Sequence, residues 1–219
     1  QVPDAKLRAR LTPDYRFGCK RVLQSNDWYP ALQKPNVEVI DTPIKAITGA
    51  GIDTSDGTSH PVDAIIYGTG FIPTDFLAPM QITGLGGQSL DHAWTGGAEA
   101  YLGITVSGFP NFFMMYGPNT NTAASIIFML ENQARYIVKC ARELGRGTVH
   151  TMNLRGTVQR EYNAEIQTRI GKTVLMDANC HSYFQDPSGK VTTQWPGQLL
   201  EYKRRTRRVR LSDYAFSRA

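Results

Sequence analysis

Val62 to Tyr67 form a short, nearly continuous apolar run that stops at Gly68-Thr69-Gly70-Phe71. A run of that length predicts a strand buried on both faces, since a half-solvated strand would alternate apolar and polar residues. The two glycines end it abruptly, because a backbone without Cβ can turn sharply and approach a neighbour or ligand closely. In an open α/β sheet, ligands sit at the carboxyl ends of the strands. Gly68, Thr69 and Gly70 therefore mark a candidate ligand edge, with a plain strand-to-loop turn as the alternative. The predicted class is α/β.

The segments before this run predict a small antiparallel β-meander. Residues 1 to 18 read as a loop, Trp28 to Leu32 as a helical turn and Val37 to Ile40 as a strand. Ile44 to Thr48 then lead into a two-strand excursion with a hairpin dipeptide, Asp56-Gly57, at its tip. Beyond Phe71 the chain is loop-like to Gly97. Gly84-Leu85-Gly86-Gly87 lacks the third glycine of a dinucleotide loop and reads as a turn.

Two further strands are expected, Tyr101 to Val106 and Phe112 to Tyr116. The second runs through Gly117-Pro118-Asn119-Thr120-Asn121-Thr122 into the longest helix. On that helix Ile126, Ile127, Leu130, Ala134, Ile137, Val138, Ala141 and Leu144 form one apolar stripe. Its first turn is apolar all round, which predicts an enclosed start, and Gly145 suits the position just past its end. Asn and Thr side chains at the entrance can cap the helix, while uncapped N–H groups there would attract negative charge. An amphipathic helix is expected over 157–170. After it come a Tyr183-Phe184 strand, a turn at Asp186-Pro187-Ser188-Gly189, and Trp195-Pro196-Gly197.

The 219 residues suffice for one large domain or two small ones, and 41% hydrophobic with 20% charged residues is ordinary globular composition. No apolar run approaches the roughly 20 residues of a membrane-spanning helix, and no signal-type stretch opens the chain. The net charge of +5 is concentrated between Lys203 and Arg210. That run is expected to be a solvated terminal segment, with an anionic partner as the alternative. Without interleaved aromatic residues it does not predict nucleic-acid binding. Cys19, Cys140 and Cys180 are odd in number, widely spaced and free of C-x-x-C. This argues against a disulfide framework or zinc site and for a reducing cytoplasm. The four histidines lack ligand spacing, so no metal is expected. The chain opens on Gln1, mid-pattern, as a fragment or trimmed piece would.

Several stretches, taken in order, resemble the carboxyl-terminal part of class B flavoprotein monooxygenases, specifically the Baeyer–Villiger type related to hydroxyacetophenone monooxygenases. They are Leu11 to Tyr15, Phe17-Gly18-Cys19-Lys20-Arg21, Ser25 to Leu32 and the Gly68-Thr69-Gly70-Phe71 turn. Gly108-Phe109-Pro110-Asn111, Tyr116 to Asn121, Ser125 to Glu131 and Trp195-Pro196-Gly197 complete the set. The resemblance implies a partial fold of two dinucleotide-binding domains. Residues 1–75 would close the NADP-binding domain with its meander, and 76–219 the FAD-binding domain with a long helix and a family-specific tail.

It also implies roles. Lys20 matches the lysine that holds the 2′-phosphate of NADPH, which a point charge suits. Arg21 matches the arginine that reaches the flavin, where a permanently charged, fork-shaped guanidinium stabilises anions formed during oxygen insertion. Gly68, Thr69 and Gly70 correspond to an "ATG" signature at the domain junction, with Gly68 in place of Ala. Gly117, Pro118, Asn119, Thr120 and Asn121 correspond to the segment leading the last helix toward the flavin ring, where the helix terminus would offset negative charge.

The family's glycine-rich FAD and NADP motifs and its F-x-G-x-x-x-H-x-x-x-W fingerprint are absent, and its "T-V-W" is Thr173-Val174-Leu175 here. The expectation is the carboxyl-terminal portion of an FAD- and NADPH-dependent monooxygenase acting on a ketone or heteroatom, inactive by itself without the amino-terminal half. The alternatives are a flavin-dependent NAD(P)H reductase of the same fold, which the lack of a redox C-x-x-C disfavours, and a non-catalytic binding or scaffolding module.

Overall fold

The computed structural model describes residues 1–147 and 149–217. The chain divides into two units, Gln1–Asp14 with Leu23–Phe71, and Tyr15–Val22 with Ile72–Ala219. No helix among the described residues is long and apolar enough to cross a membrane.

In the first unit α1 (Ala5–Leu11) starts at Asp4, whose carboxylate accepts the N–H groups of Lys6 (2.7 Å) and Leu7 (2.9 Å). Arg10 forks onto Asp41 through Nε (3.0 Å) and Nη2 (2.8 Å). After the single turn α2 (Trp28–Ala31), the strands β1 (Ile44–Thr48), β2 (Gly51–Thr54) and β3 (Ser59–Pro61) form the expected antiparallel meander. Asp56 builds its tip by accepting from Thr54 Oγ1 (2.6 Å) and the Thr58 N–H (3.0 Å). Gly51 has φ +152°, and a Cβ there would lie 2.1 Å from the His60 carbonyl oxygen.

Two strand expectations fail in this unit. Val37 to Ile40 and Val62 to Tyr67 form no strand, and Ile66 (96% exposed) and Phe71 (97%) stand in solvent. A strand buried on both faces needs ladder partners on both edges and cover on both sides. Among the described residues nothing pairs with 62–71.

The second unit contains α3 (Leu90–Ala93), α4 (Ile126–Leu144), β4 (Thr151–Leu154), α5 (Gly156–Ile170), α6 (Leu199–Thr206) and β5 (Tyr214–Ser217). β4 and β5 pair antiparallel, with Met152 opposite Phe216 and Leu154 opposite Tyr214. The core gathers Ile104, Met129, Tyr136, Ile166, Ile170, Tyr202 and Tyr214. The expected strands at Tyr101–Val106, Phe112–Tyr116 and Tyr183–Phe184 are instead tight turns and extended loops. A single Tyr101–Thr105 bridge closes a turn through Leu102 (φ +56°) and Gly103 (φ +64°).

Helices α4 and α5 run as expected, but α4 buries most deeply a face beside the predicted stripe. Met129, Asn132, Gln133, Tyr136 and Cys140 are its buried residues, while Ile137 and Leu144 of the stripe pack partly against the core. Ile127 (65% exposed) and Val138 (49%) are in solvent, so its first turn is not enclosed. Hydrogen bonding explains the shift. The Gln133 Oε1 accepts the Tyr116 N–H (2.9 Å) and its Nε2 donates to the Tyr202 hydroxyl (3.0 Å), which donates to the Leu102 carbonyl (2.6 Å). A buried amide satisfied in this way is compatible with a core position. Past the helix, Gly147 rather than Gly145 takes the left-handed conformation.

The basic run is largely solvated, with Lys203, Arg204, Arg207, Arg208 and Arg210 exposed, but it is ordered at its start. Its first four residues form the end of α6, and Arg205 joins Arg169, Glu165 and Glu201 in an ion-pair network. Arg169 forks onto Glu201 (2.7 and 2.8 Å), and both guanidinium groups lie over the Trp195 ring at 5.4 and 5.6 Å. A Cβ on Gly197 would sit 2.5 Å from Glu201 Oε2 and 2.7 Å from Arg169 Nη2. Trp195-Pro196-Gly197 is therefore the seat of this network.

The cysteine expectation is also corrected. Cys19 and Cys180, 161 residues apart, form a disulfide with a Cα–Cα distance of 5.5 Å, leaving Cys140 as a buried thiol. Linear spacing carries no signal for a pair that only the fold brings together. The reducing compartment inferred from unpaired cysteines loses that basis.

Candidate functional site

Two glycine turns in the second unit interlock to build the site. A Cβ on Gly103 would lie 2.1 Å from Thr120 Cγ2 and 2.8 Å from the Pro118 carbonyl oxygen. One on Gly117 would lie 2.4 Å from the Gly103 oxygen and 2.5 Å from the Met114 sulfur. The backbones meet because neither residue carries a side chain. Thr120 is fully buried and its hydroxyl closes the turn on the Gly117 carbonyl (2.6 Å).

Asn119, at φ +56°, fastens this turn to the segment 191–195. Its Nδ2 donates to the carbonyl oxygens of Val191 (3.1 Å) and Gln194 (3.0 Å). The backbone N–H groups of Asn119 and Asn121 donate to Thr192 (2.7 Å) and Thr193 (2.9 Å), and the Trp195 N–H returns to Asn121 (2.7 Å). Those two N–H groups are thus not free for an anion, contrary to expectation. Nor does the turn open the helix directly. α4 begins at Ile126, where Ser125 Oγ caps the Phe128 N–H (3.2 Å).

Around this turn three buried polar atoms lack hydrogen-bond partners among the described residues: Asn119 Oδ1, Thr192 Oγ1 and Gln194 Nε2. Native interiors satisfy nearly all such atoms, so three in one place call for a ligand or solvent. Their chain neighbours Asn121 and Thr193, with Ile72, Phe76, Leu77, Met115 and Tyr116, line a cavity of about 300 Å³, which Asn119, Thr192 and Gln194 do not themselves line. It is mainly apolar with few polar groups, the usual character of a small-molecule site. The Tyr116 hydroxyl donates to Asn121 Oδ1 (3.1 Å). Burial pushes the Tyr116 phenol upward, and the nearby Arg21 cation pulls it the other way.

Arg21 itself is exposed and does not line the cavity; its charge lowers the phenol of Tyr116, which does. Lys20 turns elsewhere. Its Nζ donates to the His181 carbonyl and lies 5.4 Å from the Tyr15 ring centroid. Gly68, Thr69 and Gly70 belong to the first unit, where they are exposed and have open space around the glycines. Leu175 is buried in the second unit's core, so this position packs instead of lining a site.

Sequence reasoning missed Gly103, Gln133, Thr192 and Gln194. Gly103 carried a readable signal, a glycine inside an otherwise apolar run, which marks close backbone approach. The others have none, since their partners lie 17 to 75 residues away.

No family model matches the chain. It is 42% identical over 215 residues to a Baeyer–Villiger monooxygenase of Streptomyces coelicolor, covering 97% of this chain and 41% of that protein. It is 38% identical over 216 residues to one of Pseudomonas aeruginosa, covering 98% and 41%. Among solved structures, a steroid monooxygenase bound to NADP matches with TM-score 0.88 at 27% identity, over 100% of this chain and 43% of that one. A complex of OTEMO with FAD and NADP matches with TM-score 0.89 at 27% identity, over 99% and 42%. The chain thus spans about two fifths of the length of the relatives it matches. With the ordered motifs and the fold in agreement across its whole length, the chain belongs to the Baeyer–Villiger monooxygenases, as a carboxyl-terminal part of that enzyme.

Proposed function

We propose that the chain supplies the cofactor-facing carboxyl-terminal part of an FAD- and NADPH-dependent monooxygenase that inserts one oxygen atom from O₂ into a ketone or a heteroatom. The observation that carries this reading is the trio of unpartnered buried atoms at Asn119, Thr192 and Gln194, on the segments whose Asn121 and Thr193 line an apolar cavity. They offer an acceptor, a hydroxyl and a donor, and the edge of a flavin ring presents the complementary set. When bound, FAD would supply the oxygen chemistry and NADPH the reducing equivalents.

The chain's own residues divide the remaining work. Asn119, Thr192 and Gln194 orient the flavin edge, on a turn that the Gly103–Gly117 contact makes rigid. Arg21 holds a permanent positive charge toward the cavity wall and stabilises oxyanions there. Ile72, Phe76, Leu77 and Met115 give the cavity its apolar lining, against which an apolar substrate would pack. Lys20 keeps two N–H donors beyond the one on His181, enough to bind a phosphate. Gly68, Thr69 and Gly70 serve the junction between the cofactor domains. The exposed face of α4, with Ile127, Ala134, Val138 and Ala141, is the seat of the remaining enzyme, so the 219 residues alone neither hold FAD stably nor turn over.

The test is spectroscopic. The isolated chain mixed with FAD should give the spectrum of free flavin. The intact enzyme should give a bound-flavin spectrum and consume NADPH in proportion to oxygenated product from a ketone. NADPH oxidation by the intact enzyme that yields no oxygenated product from any ketone or sulfide would indicate a reductase and overturn the proposal.

A further inference from the structure

The segment Tyr15–Val22 belongs to the second unit although the chain on both sides of it belongs to the first. Something must pin those eight residues, and the structure shows what does. Cys19 (0% exposed) is bonded to Cys180 (3%). Lys20 Nζ donates to the carbonyl of His181, next to Cys180. Arg16 pairs with Asp177 at 2.9 Å, and a Cβ on Gly18 would touch Val174 Cγ1 at 3.3 Å. All four anchors fall on residues 174–181. Arg16 is 78% exposed, so its ion pair contributes little, and the Lys20 bond is a single contact on a flexible stem. The covalent bond dominates the set.

We propose that the Cys19–Cys180 disulfide is the positioning element for Arg21, and that its oxidation state governs whether Arg21 stands at the cofactor cavity. Arg21 lies two residues from Cys19. On the other side of the bond, Cys180 leads within three residues to Tyr183, whose ring stacks on Phe184 with centroids 4.3 Å apart. Arg21 and Tyr183 thus leave the two sides of one bond, and both bear on the charge state of Tyr116, which lines the cavity. Cutting the bond leaves the Arg21 segment on the packing of Tyr15 against the core and on the exposed Arg16 and Lys20 contacts.

The chemistry is ordinary thiol–disulfide exchange with a cellular dithiol or glutathione as the partner. A thiolate of the reductant attacks one sulfur, the Cys19–Cys180 bond breaks, and a mixed disulfide forms. A second reductant thiol resolves it. Cys19 and Cys180 each end with one added electron and one proton, and the reductant carries the new disulfide. Because both sulfurs are buried, the segment must open before attack.

Two measurements on the 219-residue chain test the clasp itself. Denatured without reductant, it should show one reactive thiol, Cys140, and three after dithiothreitol; three before reduction would overturn the proposal. Trypsin should then cut after Lys20 or Arg21 at least about tenfold faster in the reduced chain, since protection follows local opening. Re-oxidation with oxidised glutathione should restore protection, Cys140→Ser should behave as the parent, and equal rates in both states would overturn the proposal.

The catalytic consequence rests on the role given to Arg21 under the proposed function, and a third measurement separates the two. In the intact enzyme, reduction of the clasp should lower oxygenated product per NADPH while leaving flavin reduction unchanged. Undiminished oxygenation with the clasp open would overturn the positioning role. An intact enzyme that binds no FAD would overturn the functional reading and leave the clasp established by the first two measurements.

Discussion

Replacing Gly103 by alanine attacks the contact on which the candidate site is built. Two effects add. A non-glycine residue at φ +64° costs about 1 kcal/mol in backbone conformation. The new methyl, 2.1 Å from Thr120 Cγ2 in a fully buried turn, forces an overpacking displacement worth about 1–3 kcal/mol. Gly103→Ala should therefore destabilise the second unit by about 2–4 kcal/mol. Thr120→Ser keeps the hydroxyl bond to Gly117 and removes the methyl that clashes, at a cost of about 1 kcal/mol for the lost burial. The double variant should be more stable than the sum of the two changes by about 1–2 kcal/mol, since the clash with the Thr120 methyl disappears while the approach to the Pro118 carbonyl and the backbone part stay. Urea unfolding followed by the emission of buried Trp195 reports on this unit. A Gly103→Ala cost below about 1 kcal/mol, or strict additivity in the double variant, would refute the interlocked-turn reasoning.

Other expectations follow from the same coordinates. Arg169, and after it Arg205, hold the Glu201 carboxyl at about 2 against burial, which opposes ionisation. A depressed folded-state value means this stabilisation is complete above the ordinary value of about 4.5 and is lost as pH falls toward about 2. Glu201→Gln should flatten the acid limb of a stability–pH curve in that window, and an unchanged curve would remove Glu201 from the account. Gln133→Leu leaves the buried Tyr202 hydroxyl without its donor and the half-buried Tyr116 N–H without its acceptor, and should cost about 1–3 kcal/mol in urea titrations. Reducing the disulfide, which closes a loop of 161 residues, should lower the stability of the chain by about 3–5 kcal/mol, read as a shift in the denaturant midpoint.

Local structure was legible wherever its cause was local. The Asp56-Gly57 hairpin follows from a turn dipeptide, and α4 and α5 from helical periodicity. Val62 to Tyr67 failed because a strand's fate depends on partners that its own sequence does not name. The buried face of α4 was displaced from the predicted stripe for a related reason. Hydropathy counts Gln133 as polar, yet two hydrogen bonds to residues 17 and 69 positions away make it core. The Cys19–Cys180 pair was invisible to spacing rules, and the arginine-rich run looked like a tail because Glu165 and Trp195, which order it, lie elsewhere in the chain. Of the proposed site, the Gly117–Asn121 turn was legible as the turn leading to a long helix, and Arg21 was singled out only by the resemblance. The unpartnered atoms of Thr192 and Gln194 emerged only from the folded arrangement.

The role of Arg21 is the point on which the functional account turns. In the intact enzyme Arg21→Ala should leave flavin reduction by NADPH close to its parental rate and abolish the oxygenated product. Normal oxygenation by that variant would contradict the account.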